Sequence, residues 1–149
     1  MALSSQYCFA YVAAMSDAGQ PPLFAPTVAQ IERLALEALG RLPDPFRSHL
    51  SNVVLFVEDF ADERILKEME IGDPFGLTGL YTGRPVGEPD QTGDGPPMVH
   101  LFRRPLLDEW VETGVPLDAL ITHVVVHEIG HHFGLSDIDM HVLEDMVAP

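Results

Sequence analysis

Residues 117–133, Leu117 to Phe133, read LDALITHVVVHEIGHHF. Only Gly130 in that run is a helix breaker, Pro116 suits a first turn, and Gly134 is a natural C-terminal cap. At ~1.5 Å per residue the helix is roughly 25 Å long. Leu117, Leu120, Ile121, Val124, Val125, Val126 and Ile129 make it apolar almost all round, so it is expected to be the buried central helix of the domain. Buried polar side chains need partners, which makes the His-Glu pair inside this run informative.

His127-Glu128-Ile129-Gly130-His131 is the pattern H-E-x-x-H. Residues at i and i+4 share one helix face, so both imidazoles can reach one Zn²⁺ at ~2.0–2.1 Å. Glu128 lies about 100° round from His127 and can approach a water on the metal without taking a ligand position. Zinc lowers the pKa of such a water toward ~7. A carboxylate base can then take its proton and return it to a leaving amine. Catalytic zinc sites usually have three protein ligands and one open position. Gly134 and Asp137 extend the pattern to H-E-x-x-H-x-x-G-x-x-D. Gly134 can take positive φ and turn the chain back, bringing Asp137 to the metal beside His127 and His131. At this composition a chance H-E-x-x-H is an event of about 2%, and the two further positions make it much rarer.

Other side chains near the pattern have possible roles. His123 is one turn before His127 on the same stripe and suits a place supporting a ligand from behind or lining a cleft, although a satisfied core or surface histidine is the simpler reading. His132 points ~100° away and is not expected to be a ligand. His141, four residues past Asp137, can contact a substrate oxyanion or replace Asp137 as ligand. Tyr81 and His100 sit on strands and face the cleft only if alternation allows it. Met140 and Met146 are read as core methionines rather than a methionine turn beneath zinc.

Upstream, Thr27-Val28-Ala29-Gln30 forms a capping box. Val28, Ile31, Leu34, Ala35 and Ala38 continue at helical spacing, and Gly40 is expected to end the helix. Val53 to Val57 reads as a strand. Asp62 to Glu70 reads as an amphipathic helix with Ile65, Leu66 and Met69 on one side. Leu77 to Thr82 and Met98 to Arg103 read as strands, and Leu106 to Thr113 as a short helix opened by Pro105. Between those strands, Gly83 to Pro97 is rich in Gly, Pro and Asp, a length of loop that is often functional. A final helix runs from Asp137 to Met146. The fold class is α+β: a compact domain over residues 27–149, with a small mixed sheet packed on the buried helix.

The chain has 149 residues and a net charge of −15. Length favours one domain. The charge argues against nucleic acid, whose binding relies on Lys and Arg displacing counterions, and against anionic membranes. The single cysteine, Cys8, allows no intramolecular disulfide and points to a cytoplasmic setting. Tyr7 to Met15 is a short apolar run without the basic flank of a signal peptide. Residues 1–26 are expected to be a poorly ordered appendage, with Met15 as an alternative start.

The stretch Val124 to Met140, VVVHEIGHHFGLSDIDM, resembles the bacterial zincin-like metallopeptidases, described as minimal metalloprotease-like. Gly79 to Pro85, GLYTGRP, and Val99 to Leu106, VHLFRRPL, are also similar to that family. The likeness covers roughly residues 27–146. It implies a compact α+β fold, one zinc on His127, His131 and Asp137, and Glu128 as base. The expected activity is hydrolysis of a peptide or protein substrate, an extended segment adding to a free sheet edge, with Met98 to Arg103 as the expected edge strand. The alternative is a zinc-binding protein of regulatory or binding role with little turnover. Two other zinc enzymes fit less well. The rRNA-maturation endoribonucleases carry Gly where this chain has Glu128 and His where it has Asp137. Peptide deformylases need an upstream cysteine ligand, and Cys8 lies in the expected appendage.

Overall fold

In the computed structural model, residues 23–89, 93 and 95–149 are described. Cys8, Met15 and all but 23–26 of the expected appendage lie outside them. The described chain runs α1 (Val28–Gly40), β1 (Val54–Glu58), α2 (Glu63–Glu68), β2 (Gly79–Thr82), β3 (Met98–Phe102), α3 (Arg103–Thr113), α4 (Leu117–His132) and α5 (Asp137–Val147). Short 3₁₀ turns occupy Arg47–His49 and Pro74–Gly76. The mixed helix-and-strand architecture is the α+β class expected from the sequence.

The helix starts follow their capping residues. Thr27 and Gln30 form the reciprocal capping box of α1. Asp62 caps α2 by accepting from the Ile65 amide, and Ser136 caps α5 by accepting from the Asp139 amide. Helix α2 is shorter than expected. Asp62 is its cap rather than its first residue, and Met69 is its C-cap, exposed instead of packed. Helix α3 starts two residues before Pro105, which fits because amides in a first turn have no helical acceptor anyway.

The three strands form one sheet in the order β1-β3-β2, with β1 parallel and β2 antiparallel to β3. This corrects the expectation for Met98 to Arg103: β3 is the central strand, paired on both sides, and β2 is an edge. The antiparallel register pairs Leu80 with His100 and Tyr81 with Val99. The Phe102 amide donates to the Thr78 carbonyl at 2.9 Å. Hydrogen-bonded pairs alternate along an antiparallel ladder, so the backbone groups of Gly79 and Tyr81 point away from β3, to the free edge.

The core lies between this sheet and the helices α1 and α4. Val99 and Leu101 of β3 are fully buried against Ile31, Ala35, Ile121, Val125 and Ile129. A smaller cluster on the sheet's other side gathers Ala61, Leu77 and Phe102, with Ile65 and Leu66 packed on it. Arg41 fastens the far end of the hairpin formed by α4 and α5. Its Nε donates to the Val147 carbonyl at 3.0 Å and a terminal nitrogen donates to Thr122 Oγ1 at 2.8 Å, which satisfies one of the orphan carbonyls at the end of α5.

Helix α4 touches the sheet most closely at Gly79. A Cβ there would stand 2.7 Å from Val124 Cγ1 and 3.2 Å from Glu128 Cγ. Val124 is buried and branched, so it has little room to yield. Gly79→Ala is therefore expected to destabilise the fold by about 1–3 kcal/mol through overpacking. Urea unfolding measures this, and a midpoint equal to the wild type would contradict so close a packing.

Candidate metal and catalytic site

Helix α4 is less uniformly apolar in its surroundings than its composition suggests. Nine of its residues are buried. The positions left to solvent on the site side form one stripe: His123 and His131 are exposed, and His127 and Glu128 are half-buried. Spacing of i, i+4, i+8 puts the three histidines on one helix face. The His127 and His131 rings are 5.0 Å apart between centroids and nearly perpendicular. His123 and His127 are 6.2 Å apart.

Glu128 lies beside His127 and His131, against the free edge of β2. Burial raises its carboxyl pKa above the ordinary range, opposed by His131, His127 and the backbone amide of Tyr81. That amide is one of the groups the sheet register directs away from β3, so the edge strand itself supplies the hydrogen-bond donor for the carboxylate. Thr78, His123, Val124, His127 and Glu128 line a shallow pocket of about 120 Å³. A larger hollow of about 230 Å³, among His49, Arg84, Val86 and His132, contains none of His127, Glu128 or His131.

Asp137 is placed differently. It opens α5 and is exposed, and its side chain makes no hydrogen bond or ion pair with the described residues. Among the described residues, no group of three His, Cys, Asp or Glu side chains is arranged to hold a metal ion. The structure thus gathers His127, His131 and Glu128 and leaves Asp137 outside. The chain path between them has the expected form: Gly134 follows α4 at φ 62°, and the Leu135 amide donates to the Gly130 carbonyl at 3.0 Å. In kind, the donors suit zinc: two solvent-accessible imidazoles one turn apart, with a desolvated carboxylate alongside.

Residues 50–147, about two thirds of the chain, match the family of zincin-like metallopeptidases. This chain belongs to that family. No curated protein matches it significantly. Membership gives the zincin a zinc-dependent, peptidase-type function at the level of the family. The matched region begins after α1 and takes in the sheet and helices α2 to α5.

The remaining site residues of the zincin divide by their contacts. Tyr81 shares the sheet face of Gly79, toward α4. Its hydroxyl donates to the Arg84 carbonyl at 2.8 Å and lies 2.9 Å from His132 Nδ1. It is thus engaged in holding the loop after β2, with its backbone amide, not its hydroxyl, at Glu128. His132 is buried, and burial lowers its pKa. His100 pairs with Leu80 and so points to the opposite sheet face, stacked on Phe56 at 5.4 Å. Met140 lies directly beneath α4: a Cβ on Gly130 would stand 2.6 Å from its Cγ and Sδ. Met146 is exposed. His141 is exposed on α5, with Nδ1 3.4 Å from Glu144 Oε2.

Glu144 is the residue that reasoning from sequence missed. Its side chain is only 14% exposed, and Oε2 lies 3.1 Å from His123 Nδ1 while Oε1 lies 3.9 Å from His127 Nδ1. A signal existed. Glu144 is two turns after Asp137 and therefore on the same face of α5. The connection between α4 and α5 is short, which makes the two helices antiparallel neighbours.

Proposed function

We propose that this zincin is a peptidase in which His127, His131 and Asp137 hold one Zn²⁺ per chain and Glu128 is the general base. Bound there, zinc supplies the Lewis acidity that activates water and polarises a scissile carbonyl near neutral pH. Glu128 carries the reading: it stands beside both histidines, in partial burial, at the edge of a strand. The raised pKa of its carboxyl brings it closer to the working pH, where a base both takes and returns a proton effectively. Among the described residues the Asp137 side chain has no partner to lose on turning toward the two histidines. The substrate is an extended peptide or protein segment. It would pair with the free edge of β2 through the Gly79 backbone and the Tyr81 carbonyl, which sets its scissile bond beside Glu128. Neither nucleic acid nor membrane is a proposed partner, and among the described residues no helix is long and apolar enough to cross a membrane.

The test is cleavage of a broad peptide library, read by mass spectrometry, with protein loaded with zinc, stripped by a chelator and reloaded. Cleavage that disappears with the metal and returns with it is the expected result. One zinc per chain with no cleavage across the library would instead favour a zinc-binding regulatory protein.

A further inference from the structure

Glu144 sits where three histidines of the hairpin converge, yet the zinc ligand set and the base account for none of its contacts. Oε2 is occupied, 3.1 Å from His123 Nδ1 and 3.4 Å from His141 Nδ1. Oε1 is buried and has no hydrogen-bond partner among the described residues. An unsatisfied buried carboxylate oxygen is costly, and here it faces His127 Nδ1 at 3.9 Å, beyond hydrogen-bond range but within that of a small ring rotation. The backbone fixes the carboxylate from both ends of α5. Ser136 caps the start, Met140 packs beneath Gly130, and Arg41 holds the Val147 carbonyl.

We infer that Glu144 is a positioning residue for the metal: its Oε1 accepts from the Nδ1–H of His127 and so turns the Nε2 of that ring toward the zinc. The inference rests on the zinc reading above. A histidine that gives one ring nitrogen to a metal generally donates the other N–H to a carboxylate or carbonyl, which fixes the tautomer, orients the ring and raises its basicity. Among the described residues, Glu144 is the carboxylate recorded within ion-pair distance of His127. His123 acts here as the anchor for Oε2, which leaves Oε1 free for His127. Glu144 is thereby assigned a role through His127 rather than on the metal.

The experiment uses the full chain and Zn²⁺ as probe, with affinity measured by competition against a chromophoric chelator. Cobalt absorption reports the ligand set, and circular dichroism reports the fold. Glu144→Ala is expected to weaken zinc binding about 10- to 100-fold. Glu144→Gln keeps a carbonyl oxygen that accepts from Nδ1–H, so its loss should be smaller. It also carries the test if the alanine variant does not fold. The cobalt spectrum of Glu144→Gln should keep the wild-type band pattern, because the ligands are unchanged. Zinc affinity within twofold of wild type in a folded Glu144→Ala overturns the inference. So does an altered cobalt spectrum in Glu144→Gln with zinc lost as fully as in His127→Ala, since Glu144 would then be a ligand. Wild-type protein that takes up no zinc overturns the zinc reading and this inference with it. Normal uptake with an unaffected Glu144→Ala overturns this inference alone.

Discussion

Glu128→Gln is expected to keep its zinc and lose about 10²- to 10⁴-fold in the rate of peptide hydrolysis, the usual contribution of a positioned base. The substitution is nearly isosteric. The glutamine carbonyl oxygen can still accept from the Tyr81 amide that holds Glu128 at the β2 edge, and the side chain still fits against Gly79. Binding of the metal and of the substrate should therefore persist, so the loss should fall on kcat rather than KM. The carboxylate is half-buried and desolvated, so removing its charge also relieves a burial penalty. Glu128→Gln should unfold no earlier than wild type in the absence of zinc, as urea unfolding can check. Hydrolysis at the wild-type rate would move the base elsewhere, with His123, which lines the same pocket, the first to examine. Loss of zinc together with activity would make Glu128 a ligand and undo its assignment.

The parts of the site that could be read from sequence are those set by spacing within one helix. His127, Glu128 and His131 are fixed relative to one another by helical geometry alone, and the apolar residues of α4 show that this helix is central. The capping box at Thr27 and Gln30 is equally local, and it starts α1 in the structure. What could not be read depends on how elements pair. Met98 to Phe102 and Gly79 to Thr82 look alike as short strands, and neither pattern says which one lies in the middle. Only the register puts β3 at the centre and turns the Tyr81 amide toward Glu128. Likewise, His100 and Tyr81 could each have faced α4, and the pairing of Leu80 with His100 decides between them. Glu144 belongs to the same class: its spacing from Asp137 gives its face of α5, but which residues of α4 that face meets depends on how the two helices pack.

Asp137→Ala is expected to remove the effect of zinc on stability while leaving the metal-free protein almost unchanged. The side chain is exposed at the start of α5 and has no hydrogen bond or ion pair with the described residues. Its contribution without metal is that of a negative charge at a helix N-terminus, about 0.3–1 kcal/mol. Binding of zinc to the native state alone contributes RT ln(1 + [L]/Kd), about 4 kcal/mol when zinc is at a thousand times Kd. For a chain of this size, each kcal/mol moves Tm by roughly 2–4 °C. Wild type should therefore rise by about 10 °C on adding zinc in that excess, and Asp137→Ala by little or nothing, as should His127→Ala and His131→Ala. Elemental analysis should find about one zinc per chain in wild type and far less in all three variants. The comparison separates two ways for the site to be built. If Asp137→Ala loses the shift, the exposed aspartate turns in only when metal arrives, and the hairpin closes on zinc at its Gly134 end. If Asp137→Ala keeps the full shift, the third ligand is another side chain, with His141 the first to examine. The aspartate would then be a helix-terminal charge and nothing more.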